Sequence, residues 1–177
     1  MAFNFNGNVP TKIVYNGNNV NTLIYNGVVV WTAENYLFSN GSLGSGISVS
    51  GASISGGKIF THIGSGADDE GNTEAVDRTV TISGLDLTNY SKLYISSTHD
   101  DKNAYGEAYC NVGIDSANTR FFTGNDVGTV TKTITLDVSG YTGVHSLKFY
   151  LYARSDSSYS GYHTNCQIGI TEIKLYN

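Results

Sequence analysis

Two polar segments of the sequence combine tyrosine rings with carboxylates and amides. The first contains Asp100, Asp101, Asn103 and Tyr105, and the second lies between positions 154 and 163. The second segment contributes Asp156, Tyr159, Tyr162 and His163. A tyrosine ring packs on the apolar face of a sugar at low entropic cost, and amides and carboxylates hydrogen-bond to its hydroxyls. The two segments therefore predict a glycan-binding surface; the alternative is a pair of hairpin loops whose tyrosines cover a sheet edge.

A second arrangement of tyrosines lies within a predicted strand. Tyr150 and Tyr152 alternate with apolar residues between positions 145 and 154, so both rings project from the face that is turned away from the core. They could form a platform for a ligand, or they could pack against side chains of the neighbouring strands. The sequence leaves both interpretations open.

The densest acidic cluster contains Asp68, Asp69, Glu70 and Glu74. Calcium takes six to eight oxygen ligands from carboxylates and carbonyls, and a loop of this composition could supply several of them. The spacing does not match that of an EF-hand, so a solvated acidic loop is the favoured interpretation. Calcium is the one cofactor that the sequence leaves open.

No catalytic motif is present: the sequence has no Gly-x-Ser-x-Gly elbow, His-Glu-x-x-His, P-loop or Gly-x-Gly-x-x-Gly. His99, which is followed by Asp100 and Asp101, is the one position where a histidine adjoins carboxylates in the sequence. This pattern favours a polar loop over an acid–base pair, because proton transfer needs a geometry that adjacency does not supply. We therefore predict that the protein is not an enzyme.

The charge of the chain argues against nucleic acid and membrane partners. The 177 residues carry a net charge of −5, and only 14% of them are charged. Both kinds of partner are attracted by clustered lysine and arginine, and no such cluster occurs. No apolar run approaches the roughly 18 residues of a membrane-spanning helix. The N-terminus also lacks the pattern of a secretory signal, so we expect synthesis in a cytoplasm.

Alternation of apolar and polar residues predicts an all-β protein. It is clearest in residues 129–138 and 145–154, where every second side chain is apolar over most of the segment. The other predicted strands are residues 58–63, 78–83, 92–97, 106–114 and 119–123. Roughly eight to ten strands joined by glycine-rich turns are typical of a sandwich or a barrel.

The last predicted strand contains a change of phase. Its apolar residues first occupy even positions and then odd ones: Cys166, Ile168, Ile170, then Ile173 and Leu175. One extra residue near Thr171 or Glu172 would keep both sets on the buried face, which is what a β-bulge does.

The two cysteines, Cys110 and Cys166, lack metal-ligand spacing; buried thiols are favoured and a disulfide remains the alternative.

The first 35 residues follow a different pattern. Tyr-Asn-Gly begins at Tyr15 and again at Tyr25, and residues 5–7 (Phe-Asn-Gly) fit the same frame. Asn-Gly favours the two-residue hairpin turn, because both of its central positions need positive φ. We predict a hairpin or meander segment over residues 1–35 and a sandwich over residues 36–177. A sheet this small is marginal alone, so Tyr15, Tyr25 and Trp31 are candidate docking residues.

The hairpin segment resembles an element of known bacteriophage proteins. Residues 13–17 (Ile-Val-Tyr-Asn-Gly) and 23–31 (Leu-Ile-Tyr-Asn-Gly-Val-Val-Val-Trp) are similar to an element near the ends of tail and other virion proteins in phages of Gram-positive hosts. Residues 36–177 resemble a jelly roll of the carbohydrate-binding-module type, through segments 80–93, 134–143 and 170–176. Fold-level resemblance of this kind has low functional specificity.

Together the two resemblances imply a structural virion protein that is assembled in the host cytoplasm. Its hairpins would dock to other virion proteins, and its sandwich would face outward, where it could contact cell-surface carbohydrate. Such proteins are usually homo-oligomers, and a trimer fits the phage fibres and adhesins. Two alternatives remain open: a free-standing carbohydrate-binding module and a small glycan hydrolase.

Overall fold

The described part of the chain consists of β-strands joined by turns and contains no helix. The computed structural model describes residues 13–15, 18–20, 22–25, 28–32, 34–66, 75–99, 106–123, 130–155 and 163–177. The N-terminal strands are β1 (Ile13–Tyr15), β2 (Asn18–Val20), β3 (Thr22–Tyr25) and β4 (Val28–Thr32). The others are β5 (Asn35–Ser39), β6 (Ser42–Leu43), β7 (Ser48–Ser50), β8 (Ser53–Ser55), β9 (Lys58–Gly66), β10 (Ala75–Asp86), β11 (Lys92–His99), β12 (Gly106–Ile114), β13 (Thr119–Thr123), β14 (Val130–Asp137), β15 (Val144–Ser155) and β16 (His163–Tyr176).

Strands β5 to β16 form two antiparallel sheets. The first has five strands in the order β13-β12-β15-β10-β7. The second has seven strands: β14-β11-β16-β5-β6 form a continuous path, and β9 with β8 pairs along the remaining part of β16. Strand β16 is therefore the organising strand of the second sheet, because it pairs with β11, β5 and β9.

The core lies between the two sheets and is built from the predicted alternation. In β15 the buried residues Leu147, Phe149, Leu151 and Ala153 alternate with less buried ones. The facing sheet contributes buried side chains that include Leu93, Ile95, Ile168, Ile170 and Ile173. Burying each such side chain stabilises the fold by about 1.5–3 kcal/mol relative to its exposure. The predicted pattern of one buried face per strand is confirmed.

The predicted bulge in the last strand is confirmed and lies at Thr171. Ser97 of β11 is opposite Ile170, whereas Ser96 is opposite Glu172, so Thr171 has no partner in the ladder. Its hydroxyl donates a hydrogen bond to the carbonyl of Ser96 at 3.1 Å. All five apolar residues of the phase change are buried: Cys166, Ile168, Ile170, Ile173 and Leu175.

The N-terminal strands form two hairpins. Tyr15 is opposite Asn18 and Tyr25 is opposite Val28, so two residues, Asn-Gly in each case, separate the paired strands. This is the loop length that Asn-Gly favours. Residues 5–7 lie outside the described residues. The fold is an antiparallel jelly-roll sandwich preceded by β-hairpins, which confirms the predicted fold class, while the boundary between residues 35 and 36 stays a prediction.

Both cysteines are thiols in the core. Cys110 and Cys166 are buried and are not joined by a disulfide. The Cys166 thiol donates a weak hydrogen bond to the carbonyl of Tyr109 at 3.5 Å. Their role is that of small apolar residues, as the favoured interpretation of the sequence predicted.

Candidate functional site

The outer face of the five-stranded sheet carries a group of aromatic and polar side chains. In β12 the inward residues are Ala108, Cys110 and Val112, which turns Tyr109 and Asn111 outward. The same alternation turns Tyr150 and Tyr152 outward on β15. We call Tyr109, Tyr150 and Tyr152, with the neighbouring Arg120, Asn111, Asp77 and Thr79, the tyrosine face.

Backbone register arranges this tyrosine face in two rows across the sheet. In one row Tyr109 of β12, Tyr152 of β15 and Asp77 of β10 are direct neighbours. In the next row Tyr150 lies between Asn111 and Thr79. Register thus places aromatic rings beside short polar side chains.

Three side chains of the tyrosine face form a continuous stack. The rings of Tyr109 and Tyr152 are 4.9 Å apart with an interplanar angle of 22°. The guanidinium carbon of Arg120 lies 3.7 Å from the centroid of the Tyr109 ring, a cation–π contact. The Tyr109 ring is therefore covered by Arg120 on one side of its strand and by Tyr152 on the other. It supports both side chains and fixes their positions.

Tyr150 stands at the end of the aromatic group. Its ring is 6.3 Å from that of Tyr109 and is tilted by 45° to it. Its neighbours in register, Asn111 and Thr79, are short and polar. Burial raises the pKa of the Tyr150 phenol, and the negative charge of Asp77 adds to the rise. Tyr150 therefore remains a neutral hydroxyl donor at physiological pH, next to a carboxylate.

Most of the residues that the sequence singled out for glycan binding lie outside the described residues. These are Asp100, Asp101, Asn103, Tyr105, Asp156, Tyr159 and Tyr162. His163 begins β16, and its side chain is not described. The strand ends that flank the two segments are adjacent, since Gly106 is opposite Ser155. Their role in glycan binding stays a prediction.

The other predicted site residues have mixed outcomes. Asp68, Asp69, Glu70 and Glu74 lie outside the described residues, so a calcium site there stays a prediction. Tyr15 and Tyr25 are 72% and 68% exposed, and Trp31 lies in β4 with a side chain that is not described. Elsewhere in the described ranges, no three His, Cys, Asp or Glu side chains are grouped closely enough to hold a metal ion.

The seven-stranded sheet has its own aromatic group on its outer face. The amine of Lys174 lies 5.5–6.0 Å from the ring centroids of Tyr36, Tyr94 and Tyr176. The same amine donates to the Glu34 carboxylate at 3.1 Å. Lys174 thus links the three rings to the Glu34 carboxylate, while Tyr36 itself is 43% exposed.

His99 and His145 have described ring contacts of different kinds. His99 ends β11 and is buried, with its ring stacked on Phe122 at 4.2 Å. Among the described side chains, His145 pairs with the carboxylate of Asp115 at 2.8 Å, and its second ring nitrogen contacts the carbonyl of Thr142 at 3.1 Å. Both imidazole nitrogens are therefore engaged, which suits a turn-stabilising role.

Tyr150 and Tyr152 are recognisable in the sequence as outward-facing tyrosines, whereas the places of Tyr109, Asn111 and Arg120 on this face emerge from the structure. The alternation of β12 was visible in the sequence and could have placed Tyr109 and Asn111 on the outer face. The position of Arg120 over Tyr109 depends on a register shift between β12 and β13, which no local pattern shows.

No helix in the described ranges is both long and apolar enough to cross a membrane.

The fold and the site define an antiparallel β-sandwich with an aromatic and polar face on one sheet. No known protein family and no curated protein sequence matches the chain. The mannan-recognising carbohydrate-binding module TmCBM27 is 8% identical with a TM-score of 0.39, over 84% of this chain and 97% of that one. The module CBM28, specific for non-crystalline cellulose, is 10% identical with a TM-score of 0.29, over 81% and 87%.

A viral structure is also similar at this low level. The infectious bursal disease virus Gt strain structure is 10% identical with a TM-score of 0.33, over 66% of this chain and 31% of that one. Similarity this distant carries no functional information. The function has to be inferred from the contacts of the chain itself.

Proposed function

We propose that the sandwich is a non-catalytic glycan-binding domain, in which a sugar chain lies along the tyrosine face beside Tyr150. The observation that carries this proposal is the row in which Tyr150 stands between Asn111 and Thr79. An aromatic ring flanked by short hydrogen-bonding side chains offers one surface for the apolar face of a sugar and several groups for its hydroxyls.

Pre-organisation supports this use of the surface. The Arg120–Tyr109–Tyr152 stack holds two of the three rings of the tyrosine face in place before any ligand arrives, so these side chains have little entropy left to lose on binding. Asp77 adds a carboxylate acceptor at the end of the first row. An open sheet face predicts weak binding at one site, which several copies of the chain would raise through avidity.

Substitution of Tyr150 tests the glycan proposal. Removal of one stacking ring should weaken sugar binding by about tenfold, which corresponds to about 1.4 kcal/mol. The matched control is Tyr94→Ala, which removes a tyrosine from the outer face of the other sheet. We expect a glycan array to identify ligands of the wild type, and titration of one of them to show weaker binding by Tyr150→Ala and unchanged binding by Tyr94→Ala.

Two outcomes would contradict the glycan proposal. If no glycan on the array bound the protein at high concentration, a structural role would be the remaining function. Equal losses for Tyr150→Ala and Tyr94→Ala would place binding elsewhere. The hydrolase alternative has its own test. Turnover of a polysaccharide, abolished by substitution of a single Asp or Glu, would show that the protein is a glycan hydrolase.

We also propose that the hairpins dock the chain to another virion protein of a phage particle, with the sandwich turned outward and assembly in the host cytoplasm. Support comes from the exposed side chains of β1 and β3, where Tyr15, Ile24 and Tyr25 are 72%, 60% and 68% exposed. Exposed apolar side chains on a marginal two-stranded sheet suit burial against a partner. A homo-oligomer, such as a trimer, would multiply the glycan sites.

The homo-oligomer part of this proposal, in which the hairpins also join copies of the chain, is tested by mass measurement in solution. We expect size-exclusion chromatography with light scattering to show a homo-oligomer for the wild type, and Tyr15→Ser with Tyr25→Ser to shift it toward the monomer. A wild type that stays monomeric at high concentration would favour a free-standing binding module. Neighbouring genes for tail or capsid parts would support the phage assignment.

A further inference from the structure

An open edge of the sandwich contains a cleft that is separate from the tyrosine face. Strand β7 belongs to the five-stranded sheet and β8 to the seven-stranded sheet, so Gly51 and Ala52 cross from one sheet to the other. The cleft beside this crossing has a volume of about 490 Å³ and is lined by residues 51–53, Phe60, Thr61, His62 and Arg78. This volume falls within the range of roughly 300–1,000 Å³ that small-molecule sites have, but the cleft is shallow and open to solvent, so a ligand would be only partly covered.

Arg78 is held in position across the two sheets. Its Nη1 donates to the hydroxyl of Thr61 at 3.0 Å and to the carbonyl of His62 at 3.2 Å. Thr61 is only 3% exposed, so the guanidinium is anchored to the interior on one side. In the described part of the chain these two bonds use only one of its three nitrogens. The rest of the planar fork remains for a ligand.

The lining of the cleft favours an anion. None of the seven described residues that line it is a carboxylate, although the chain as a whole carries a net charge of −5. Its ionisable members are Arg78 and His62. The adjacent Asp77 lies on the opposite face of β10, toward the tyrosine face. A guanidinium presents paired N–H donors that match the two oxygens of a carboxylate or a phosphate.

The lining also favours a ligand with an apolar face. Phe60 is 36% exposed and borders the cleft together with Arg78. Ser53, which is opposite Phe60 in the β8–β9 ladder, adds a hydroxyl on the same face of the sheet as this ring. A ring that packs on Phe60 while an acidic substituent reaches Arg78 would use both groups. We propose that this cleft binds an anionic sugar residue, with its carboxylate or phosphate on Arg78 and its ring against Phe60.

This site is independent of the tyrosine face. Arg78 projects from one side of β10, whereas Asp77 and Thr79, its two neighbours in sequence, project from the other. The cleft could therefore bind an acidic sugar whether or not Tyr150 binds a neutral one. Substitutions at each site separate the two proposals.

The experiment is a titration of the full chain, labelled with nitrogen-15, with glucuronate, glucose 6-phosphate and glucose. We expect saturable shifts of the backbone amides of residues 51–53 and 60–62 with at least one of the two acids, and none with glucose. The acid that binds more tightly identifies carboxylate or phosphate as the preferred group. Tyr150→Ala should leave this binding unchanged.

Variants then assign the binding to the cleft. Arg78→Gln should weaken it by about tenfold or more, because a charge-assisted pair is lost. Arg78→Lys keeps the charge but lacks the fork, so we expect it to weaken binding as well, and Phe60→Ala should do so by removing the ring. Arg154→Gln is the matched control, since it removes an exposed arginine outside the cleft. Circular dichroism shows whether each variant is folded. If Arg78→Gln is unfolded, the binding measured with Arg78→Lys and Phe60→Ala tests the role of the cleft.

Three results would overturn the proposal. The first is the absence of saturable shifts with both acids at millimolar concentration. The second is equal binding of glucose, which would remove the role of the charge. The third is an equal loss in Arg154→Gln, which would show diffuse attraction to positive charge in place of a defined cleft.

Discussion

Deletion of Thr171 should be tolerated, although it removes a residue from the central strand of the seven-stranded sheet. Thr171 is the bulge residue and has no partner in the ladder with β11. Without it, Ile170 points inward, Glu172 outward and Ile173 inward, so β16 becomes a regular strand with the same buried face. The expected loss is one hydrogen bond, to the carbonyl of Ser96, or about 0.5–1.5 kcal/mol.

Deletion of Gly169 is the matched control and should be far more harmful, although it removes a smaller residue. If the strand absorbs this deletion at the bulge, Ile170 turns outward and Thr171 turns inward. Exposure of Ile170, which is fully buried, costs about 1.5–3 kcal/mol. Burial of the threonine hydroxyl without a partner costs a further 1–3 kcal/mol, roughly. The total is a large part of the ~5–15 kcal/mol that stabilises a typical domain.

Urea denaturation followed by circular dichroism measures the difference between the two deletions. With a slope of about 2 kcal/mol per M of urea, the Thr171 deletion should lower the midpoint by about 0.5 M and the Gly169 deletion by at least about 1 M. A Thr171 deletion that is as destabilising as the Gly169 deletion, or more so, would refute the assignment of the bulge.

Two further predictions concern a charged pair and two glycines. The hydrogen bond to Asp115 raises the pKa of His145 above 6.5, and the same bond lowers the pKa of Asp115 below 3.8. The pair therefore stabilises the fold between these values, and its effect is lost as pH rises through the raised pKa or falls through the lowered one. Thermal melts should show the advantage of wild type over His145→Gln shrinking from about pH 6 to about pH 8; a constant difference would contradict this. Gly51 and Gly57 both have positive φ, of 76° and 75°, but a Cβ at Gly51 would lie 2.1 Å from the carbonyl oxygen of Thr79, whereas a Cβ at Gly57 would meet nothing within 4 Å. In urea melts Gly57→Ala should cost about 1–2 kcal/mol and Gly51→Ala clearly more, and equal costs would count against this account.

Features that depend on local alternation were predictable from the sequence. The predicted strands at 106–114 and 119–123 coincide with β12 and β13. The bulge was predictable because Ile170 and Ile173 must both be buried, and a period of two allows this only with one extra residue. The hairpins were predictable because Asn-Gly matches a specific turn.

Features that depend on register between distant strands were not predictable. The Asp115–His145 pair joins positions 30 residues apart, so adjacency in the sequence does not reveal it. Arg78 meets Thr61 because two different sheets approach at one edge. Arg120 reaches Tyr109 through a shifted ladder. Each contact is set by how the sheets align, and no window of sequence contains that information.

The position of β16 has a consequence for how the protein is made. Strands β5, β9 and β11 all pair with this strand, yet it follows all three of them in the sequence. During translation each of these three strands therefore has an unpaired edge until residues 163–177 leave the ribosome. Open edges recruit other strands, so nascent chains are exposed to aggregation throughout elongation. Recombinant yield should therefore depend on growth temperature and on chaperone supply.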